Sequence, residues 1–389
     1  MGLIDMQHVF IIGSRGLPAN YGGFETFVAE LVSHRKSDKI CYHVACLSDT
    51  KHKRHDTYLG VDCFFINPPQ VGAARVILYD MMAIGYALDY CRQHHISQPI
   101  VYVLGNTIGA FIKPFAKKIH QMQGKLFVNP DGLEWKRAKW SKPVQRYLKY
   151  AEKQMTKAAD MIISDNQGIA DYIQKAYPWS QTTFIAYGTD LTQSSLTAQS
   201  DQVRSYFQKH GITEKGYYLV VGRFVPENNY ETLIREFMAS DTSRDLVLIC
   251  NYQGNSYVTE LKHATGFTQD ARIKFVGTVY DKALLSYIRQ NAFAYIHGHE
   301  VGGTNPGLLE ALAHTDLNLV LDVPFNQSVT QKTALYWTKK NQELAQLIDS
   351  VDKQETFEDL GRQAKQHMAQ TYTWEKIVAA YEALFLDEN

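Results

Sequence analysis

The sequence predicts an α/β protein of two successive doubly wound units, each a parallel sheet covered by helices on both faces. Three observations carry this. At 389 residues the chain is too long for one hydrophobic core. Short apolar runs of the buried-strand kind alternate with amphipathic helical stretches along its length. Glycine-rich loops recur where a strand runs into a helix, which is where sheets of this type bind ligands.

The first unit opens on the apolar run His8-Val-Phe-Ile-Ile12. It ends in Gly13-Ser-Arg-Gly-Leu-Pro-Ala-Asn-Tyr-Gly-Gly23, ahead of an amphipathic helix from Phe24 to Val32. Gly13, Gly16, Gly22 and Gly23 with Arg15 at the end of a first strand read as a ligand loop, with Arg15 as a cation for a phosphate or a sugar carboxyl. The plain alternative is a flexible connection. Tyr42–Leu47, Val61–Ile66, Pro99–Leu104, Lys125–Asn129, Met161–Ser164 and Thr183–Ala186 read as further strands, with a helix from Ala74 to Arg92. Two of these strands end in polar loops, Gly105-Asn106-Thr-Ile-Gly109 and Pro130-Asp131-Gly-Leu-Glu-Trp135-Lys-Arg137. Asp131, at such a strand end, is a candidate to orient or deprotonate a substrate hydroxyl; its plain alternative is a turn residue before Gly132.

A second cycle follows Tyr187-Gly-Thr-Asp190 and the turn-rich stretch from Leu191 to Asp201. Tyr217–Val221 runs into Gly222-Arg223-Phe-Val-Pro-Glu-Asn-Asn229, then a helix from Tyr230 to Ser240. Leu246–Ile249, Ile273–Val276, Phe293–Ile296 and Asn318–Leu321 are strands. The most informative stretch is His297-Gly-His-Glu-Val-Gly-Gly-Thr-Asn-Pro-Gly-Leu-Leu-Glu-Ala-Leu-Ala-His314. Pro306 suits the first turn of a helix, where its missing N–H is no loss. Strand, glycine loop and helix N-terminus together present unpaired N–H groups and the positive dipole end to an anion. Gly302, Gly303, Thr304 and Asn305 would cradle it. Glu310, a turn further in, suits ribose hydroxyls as an acceptor. His297 and His299 flank the loop, and Asp322 and Asn326 follow the next strand as weaker candidates. The plain alternative is a tight turn before a core helix. Tyr372–Phe385 reads as a final amphipathic helix with Thr373 as its N-cap.

Composition excludes several classes. The formal net charge is +0, which argues against a nucleic-acid binder. The five cysteines, Cys41, Cys46, Cys63, Cys91 and Cys250, are odd in number and scattered without a CxxC pair, so neither a disulfide framework nor a zinc site is expected. The compartment read from this is reducing cytoplasm. No signal peptide and no membrane span is read. Between Phe111 and Asp160, twelve Lys or Arg face four acids. Residues 112–150 mix these cations with bulky apolar side chains, the composition of a face for an anionic membrane; a solvated helix face is the alternative. A dinucleotide oxidoreductase would need GxGxxG with an acid about twenty positions on, and neither is seen.

Gly222-Arg-Phe-Val-Pro-Glu227 and Asn305-Pro-Gly-Leu-Leu-Glu310 resemble the retaining nucleotide-sugar glycosyltransferases of the GT-B fold, in which two Rossmann-like domains face each other across a cleft. The loop after Gly13, the Asp131–Arg137 stretch and Tyr187-Gly-Thr-Asp190 narrow the resemblance to bacterial rhamnosyltransferases of capsule and cell-wall polysaccharide. The resemblance implies an acceptor domain over 1–187, a donor domain over 188–372 and a helix from about 373 to 389 crossing back to the first. It implies transfer of a sugar, foremost L-rhamnose from dTDP-rhamnose, to a lipid-linked sugar acceptor at the inner face of the plasma membrane. A UDP- or GDP-sugar donor, or a sugar-nucleotide epimerase, is the alternative. Glu310 would hold the ribose, and Gly222, Arg223 and the Gly302–Asn305 loop the donor. Asp131, with Gly13, Arg15, Gly16, Gly22, Gly23, Asn106, Trp135 and Arg137, would serve the acceptor side. No metal or other cofactor is implied, and no Asp-x-Asp motif is present. The sequence departs from the superfamily twice. The first of its two glutamates falls on Gly302, with Glu300 and His299 nearby as replacements, and its diphosphate-binding lysine falls on Asn228.

Overall fold

The structure, a computed structural model, describes residues 6–19, 22–50, 55–137, 140–354 and 356–387. It divides into two compact units, Met1–Gly188 with Trp374–Asn389, and Thr189–Thr373. In the first, the strands are β1 (Gln7–Ile12), β2 (Ile40–Leu47), β3 (His55–Tyr58), β4 (Val61–Ile66), β5 (Ile100–Leu104), β6 (Lys125–Asn129), β7 (Met161–Ser164) and β8 (Thr182–Phe184). Its sheet order is β3-β4-β2-β1-β5-β6-β7-β8. The helices are α1 (Gly23–Ser33), α2 (Ala74–Gln93), α3 (Ile112–Gln121), α4 (Lys142–Ala158) and α5 (Gln167–Ala176).

All strand pairs here are parallel except one. The exception, β3, runs antiparallel to β4. Its residues His-Asp-Thr-Tyr are largely exposed, so no apolar alternation marks it, and the all-parallel expectation fails at this edge. A short polar edge strand also discourages pairing with another chain.

The second unit has β9 (Tyr217–Val221), β10 (Asp245–Ile249), β11 (Ile273–Gly277), β12 (Ala294–His297), β13 (Asn318–Leu321) and β14 (Leu335–Trp337). The order is β11-β10-β9-β12-β13-β14, all parallel. Its helices are α6 (Asp201–His210), α7 (Tyr230–Met238), α8 (Tyr257–Thr265), α9 (Lys282–Gln290), α10 (Pro306–His314), α11 (Pro324–Thr330), α12 (Glu343–Val351) and α13 (Glu358–Thr371). The strand read as Phe293–Ile296 starts one residue later and takes in His297. The strand β14 has no counterpart in the sequence reading.

Strands buried on both faces read as continuous apolar runs. Tyrosines fit these strands because their hydroxyls reach partners past the apolar layer. Tyr217 donates to the carbonyl of Ile288 at 2.6 Å, Tyr218 to Asp352 at 2.5 Å and Tyr295 to the carbonyl of Val221 at 3.2 Å.

The last helix, α14 (Trp374–Phe385), belongs to the first unit. Its Tyr381 and Phe385 pack into the rings of Phe27, Tyr42, Tyr102 and Phe127, with centroids 5.1–6.2 Å apart. Glu382 accepts the backbone N–H groups of Lys36 at 2.9 Å and Ser37 at 3.1 Å.

Doubly wound sheets bind ligands where the strand order reverses, at the carboxyl edge. In the first unit that point lies between β1 and β5, and in the second between β9 and β12.

Candidate functional site

In the second unit, β9 ends at Gly222-Arg223 and β12 at His297, so the two predicted loops emerge side by side at the reversal point. Asn305 caps α10, its side-chain oxygen accepting the N–H of Gly307 at 2.9 Å. Pro306 is the first residue of that helix. Arg223 is exposed, and its guanidinium has no ion pair among the described residues. A cation and a helix N-terminus thus lie at the carboxyl edge of the sheet.

Asn228, at the superfamily's lysine position, ties the two loops together. Its amide donates to the carbonyl of Arg223 at 2.6 Å, and its oxygen lies 2.8 Å from Nδ1 of His299. The first bond makes the oxygen the acceptor, so His299 carries its proton on Nδ1. A lysine has no acceptor and could not make the second bond. At the position of the missing glutamate, Gly302 has φ +148°, and a Cβ there would lie 2.9 Å from Nε2 of His299. The glycine therefore admits the His299 ring. Glu300 is turned to Lys339 at 2.7 Å and to Asn229 at 3.3 Å. Of the two replacements, His299 is the one beside Gly302.

Glu310 lies on α10 and pairs with Arg289 from α9. Arg289 is only 5% exposed. Sequence reading missed it, because an arginine closing an amphipathic helix looks like a solvated last turn. The pair fixes one carboxylate oxygen and leaves the half-exposed side chain an acceptor face. His297 is buried at the end of the strand rather than in the loop. Burial, reinforced by His299, lowers its pKa to about 3, so its ring is neutral. Thr304 is buried. Asn326 is buried and donates to the carbonyls of His299 at 3.0 Å and Leu321 at 2.9 Å, so it braces the loop. Asp322 pairs with Gln327.

In the first unit, a cavity of about 150 Å³ opens at the reversal point, lined by Gly13, Asp80, Asn106, Asp131 and Trp135 among others. Gly13 has φ +104°, and a Cβ there would sit 2.3 Å from the carbonyl oxygen of Leu104, so only glycine lets the loop cross β5. The Arg15 backbone N–H donates to Glu25 on α1 at 2.7 Å, which fixes the start of the loop; its exposed side chain has no ion pair among the described residues. Asn20 and Tyr21 of this loop lie outside the described residues, as do Ala138 and Lys139 of the basic stretch. A Cβ on Gly16 would meet Cys46, and one on Gly22 would meet Glu25. Gly23 opens α1. Asn106 donates to the carbonyl of Pro130 at 2.7 Å, while its buried oxygen has no partner among the described residues. Trp135 lies under the ammonium of Lys149, 4.4 Å from the ring centre.

Asp131 has φ +57°, a left-handed conformation uncommon for a residue with a side chain. It is held by its own N–H to Asn129 at 2.9 Å and by the N–H of Gly132 at 2.8 Å. Arg137 is 15% exposed at its side chain. It pairs with Glu134 at 2.7 Å and approaches Asp131 at 3.8 Å. Behind Asp131, Asp165 is buried, and burial followed by the Asp131 charge raises its pKa to about 7.

The structure is similar over nearly its whole length to several solved glycosyltransferases. Sucrose-phosphate synthase from Thermosynechococcus elongatus superposes with a TM-score of 0.78 at 15% identity, over 98% of each chain. HepE of Anabaena in complex with UDP gives 0.72 at 15% identity, over 98% of this chain and 100% of that one. A glycosyltransferase from Rickettsia africae gives 0.73 at 12% identity, over 98% of each. The chain has the GT-B fold. The family model of a domain of unknown function, DUF1972, matches residues 6–190. A search of curated protein sequences found no match.

Asp80 is the second residue that sequence reading missed, although an acid on an otherwise apolar helix stretch was a visible signal. It is 2% exposed, and among the described residues its carboxyl has one hydrogen-bond partner, the Thr107 hydroxyl at 3.5 Å. Burial pushes its pKa from 3.8 to about 8, so the carboxyl is protonated at neutral pH and can donate to a ligand in the cavity. The folded chain binds this proton more tightly than the unfolded chain. Its contribution is therefore full below the unfolded value of 3.8 and is lost as pH rises toward 8. Asp80→Asn, a neutral shape mimic, is expected to melt at least about 4 °C higher than wild type at high pH, the shift that 1–2 kcal/mol gives a domain this size. The two should melt together in acid. Calorimetric melts across pH check this; equal melting at the alkaline end would mean that the carboxyl ionises without cost.

Proposed function

We propose that the chain is a glycosyltransferase that takes its sugar from a nucleoside diphosphate. The observation that carries this is the exposed Arg223, without an ion pair among the described residues, at the same sheet edge as the N-terminus of α10, with Glu310 held by Arg289 a turn further in. The glycosyltransferases of the same fold, including HepE solved with UDP, support it. In this reading Glu310 accepts bonds from the ribose hydroxyls. Arg223 and the N–H groups of Gly303 to Asn305 hold the diphosphate. Negative charge grows on the diphosphate as the sugar leaves, so donors fixed around it lower the barrier. Arg223 gives directional charge-assisted bonds to phosphate oxygens. The scheme uses no metal.

The donor we assign is dTDP-rhamnose and the acceptor a lipid-linked sugar, from the loop after Gly13, the Asp131–Arg137 stretch and Tyr187-Gly-Thr-Asp190. The acceptor hydroxyl enters the cavity of the first unit, where Asp131 orients it. In a retaining transfer the leaving phosphate takes its proton, and no protein nucleophile is needed. A second reading, a UDP-sugar donor, is favoured by HepE, which has been solved with UDP and glucose.

No helix among the described residues is long and apolar enough to cross a membrane. A lipid acceptor would instead be met at a surface. The exposed Lys113, Lys117 and Lys118 on α3, Lys142 and Arg146 on α4, and exposed Phe111 and Tyr150 suit an anionic bilayer. Salt-sensitive cosedimentation with anionic vesicles is expected; its absence at low salt removes this part of the reading.

The function is tested by thermal shift with nucleoside diphosphates and their sugars. A ligand at a hundred times its dissociation constant stabilises by about 2.7 kcal/mol. Stabilisation by dTDP and dTDP-rhamnose is expected. Stabilisation by UDP alone would keep the transferase and replace rhamnose, and stabilisation by no nucleotide would overturn the proposal.

A further inference from the structure

A cluster of ligating side chains lies at the opposite end of the first sheet from the cavity. The parallel register places His8 of β1 directly across from Cys41 of β2. His43, two residues on, shares the Cys41 face because strand side chains alternate. One ligating atom from each residue lies within 4.8 Å of the others. Nδ1 of His8 is 2.9 Å from Nε2 of His43. These residues sit at the amino ends of their strands. His8 is five residues from Gly13, about 16 Å along the strand at 3.3 Å per residue, so the cluster does not touch the cavity.

The surroundings are those of a prepared ligand. His43 is 2% exposed, and its ring stacks on Phe10 with centroids 4.4 Å apart. Its Nδ1 meets a carboxylate oxygen of Asp62 at 2.8 Å, which directs Nε2 toward His8 and Cys41. Asp62 also accepts from His55 at 3.0 Å, and Tyr86 bonds the far nitrogen of His55. A carboxylate behind a histidine in this way fixes the ring and raises its basicity as a metal ligand. His8 and Cys41 are part-exposed, so a path from solvent exists.

We propose that His8, Cys41 and His43 bind a divalent cation of the zinc class, with water as the fourth ligand. One thiolate and two imidazoles match the preference of zinc for mixed sulfur and nitrogen donors. Zinc bonds of about 2.0–2.3 Å in a tetrahedron hold ligand atoms about 3.3–3.8 Å apart. For this the His8–His43 contact of 2.9 Å opens by about 0.4 Å, and the Cys41 sulfur, within 4.8 Å of both ring nitrogens, closes to about 3.8 Å or less. The site is independent of the proposed transfer, and a metal there would clamp β1 to β2.

Cobalt(II) is the probe. Titrated into the full-length, metal-free, reduced protein, it should give a thiolate-to-cobalt charge-transfer band in the near ultraviolet, saturating at one equivalent. The other four cysteines are buried, so Cys41→Ser should abolish the band. Asp62→Asn should weaken binding about 10–100-fold. His8→Gln, at a part-exposed position, should weaken it while leaving the fold intact, as circular dichroism would show. No charge-transfer band at one equivalent, or a band that survives in folded Cys41→Ser, overturns the proposal.

Discussion

Arg223→Ala is expected to lower kcat for sugar transfer by about 10²–10³-fold, the scale seen when one fixed donor to a developing negative charge is removed. The guanidinium follows a buried strand at the point where the strand order reverses, and no acid among the described residues neutralises it. If its bonds tighten as the diphosphate leaves, kcat falls more than donor affinity. Arg223→Lys should recover only part of the rate, since an ammonium keeps the charge but not the planar fork. Steady-state kinetics with the nucleotide sugar separate the two parameters. A variant that binds donor less well but turns over at the wild-type rate would make Arg223 a binding residue alone.

Glu310→Gln is expected to weaken binding of the free nucleoside diphosphate by about 10–100-fold. Hydrogen bonds to a charged group contribute about 1.5–3 kcal/mol, and every 1.4 kcal/mol is tenfold. The change also removes the partner of Arg289, whose guanidinium is almost wholly buried. Some loss of melting temperature should therefore accompany it, because a buried charge loses its counterion. Isothermal titration of folded variant and wild type reads the affinity. Unchanged affinity would remove Glu310 from the ribose, whatever the melting temperature does.

These expectations rest on features of unequal legibility. The β12 loop and α10 could be read because their signals are local: apolar run, glycines, Asn-Pro, helix formers. Arg223 was readable for the same reason. Arg289 and Asp165 were not, since each acquires its role from burial, and burial depends on which helix or strand end packs against which. The same holds for His8, Cys41 and His43, which lie 33 and 2 positions apart in sequence and meet only through the register of two parallel strands. The metal expectation drawn from CxxC spacing could not see them. The edge strand β3 escaped because its four residues carry no apolar pattern. Arg137 was read as a ligand for substrate from its place in the loop, and the pairing with Glu134 that occupies it is a matter of side-chain direction.

The final helix has a consequence for how the molecule is made. Residues 189–373 form a continuous insertion between the two pieces of the first unit. A ribosome therefore releases everything the second unit needs before it releases the helix carrying Tyr381 and Phe385. The domain begun first is the one finished last. Until that helix emerges, the rings of Phe27, Tyr42, Tyr102 and Phe127 lack its Tyr381 and Phe385. The nascent chain must carry that apolar face through the synthesis of the whole second unit, and a chain broken off before Trp374 would be left with it.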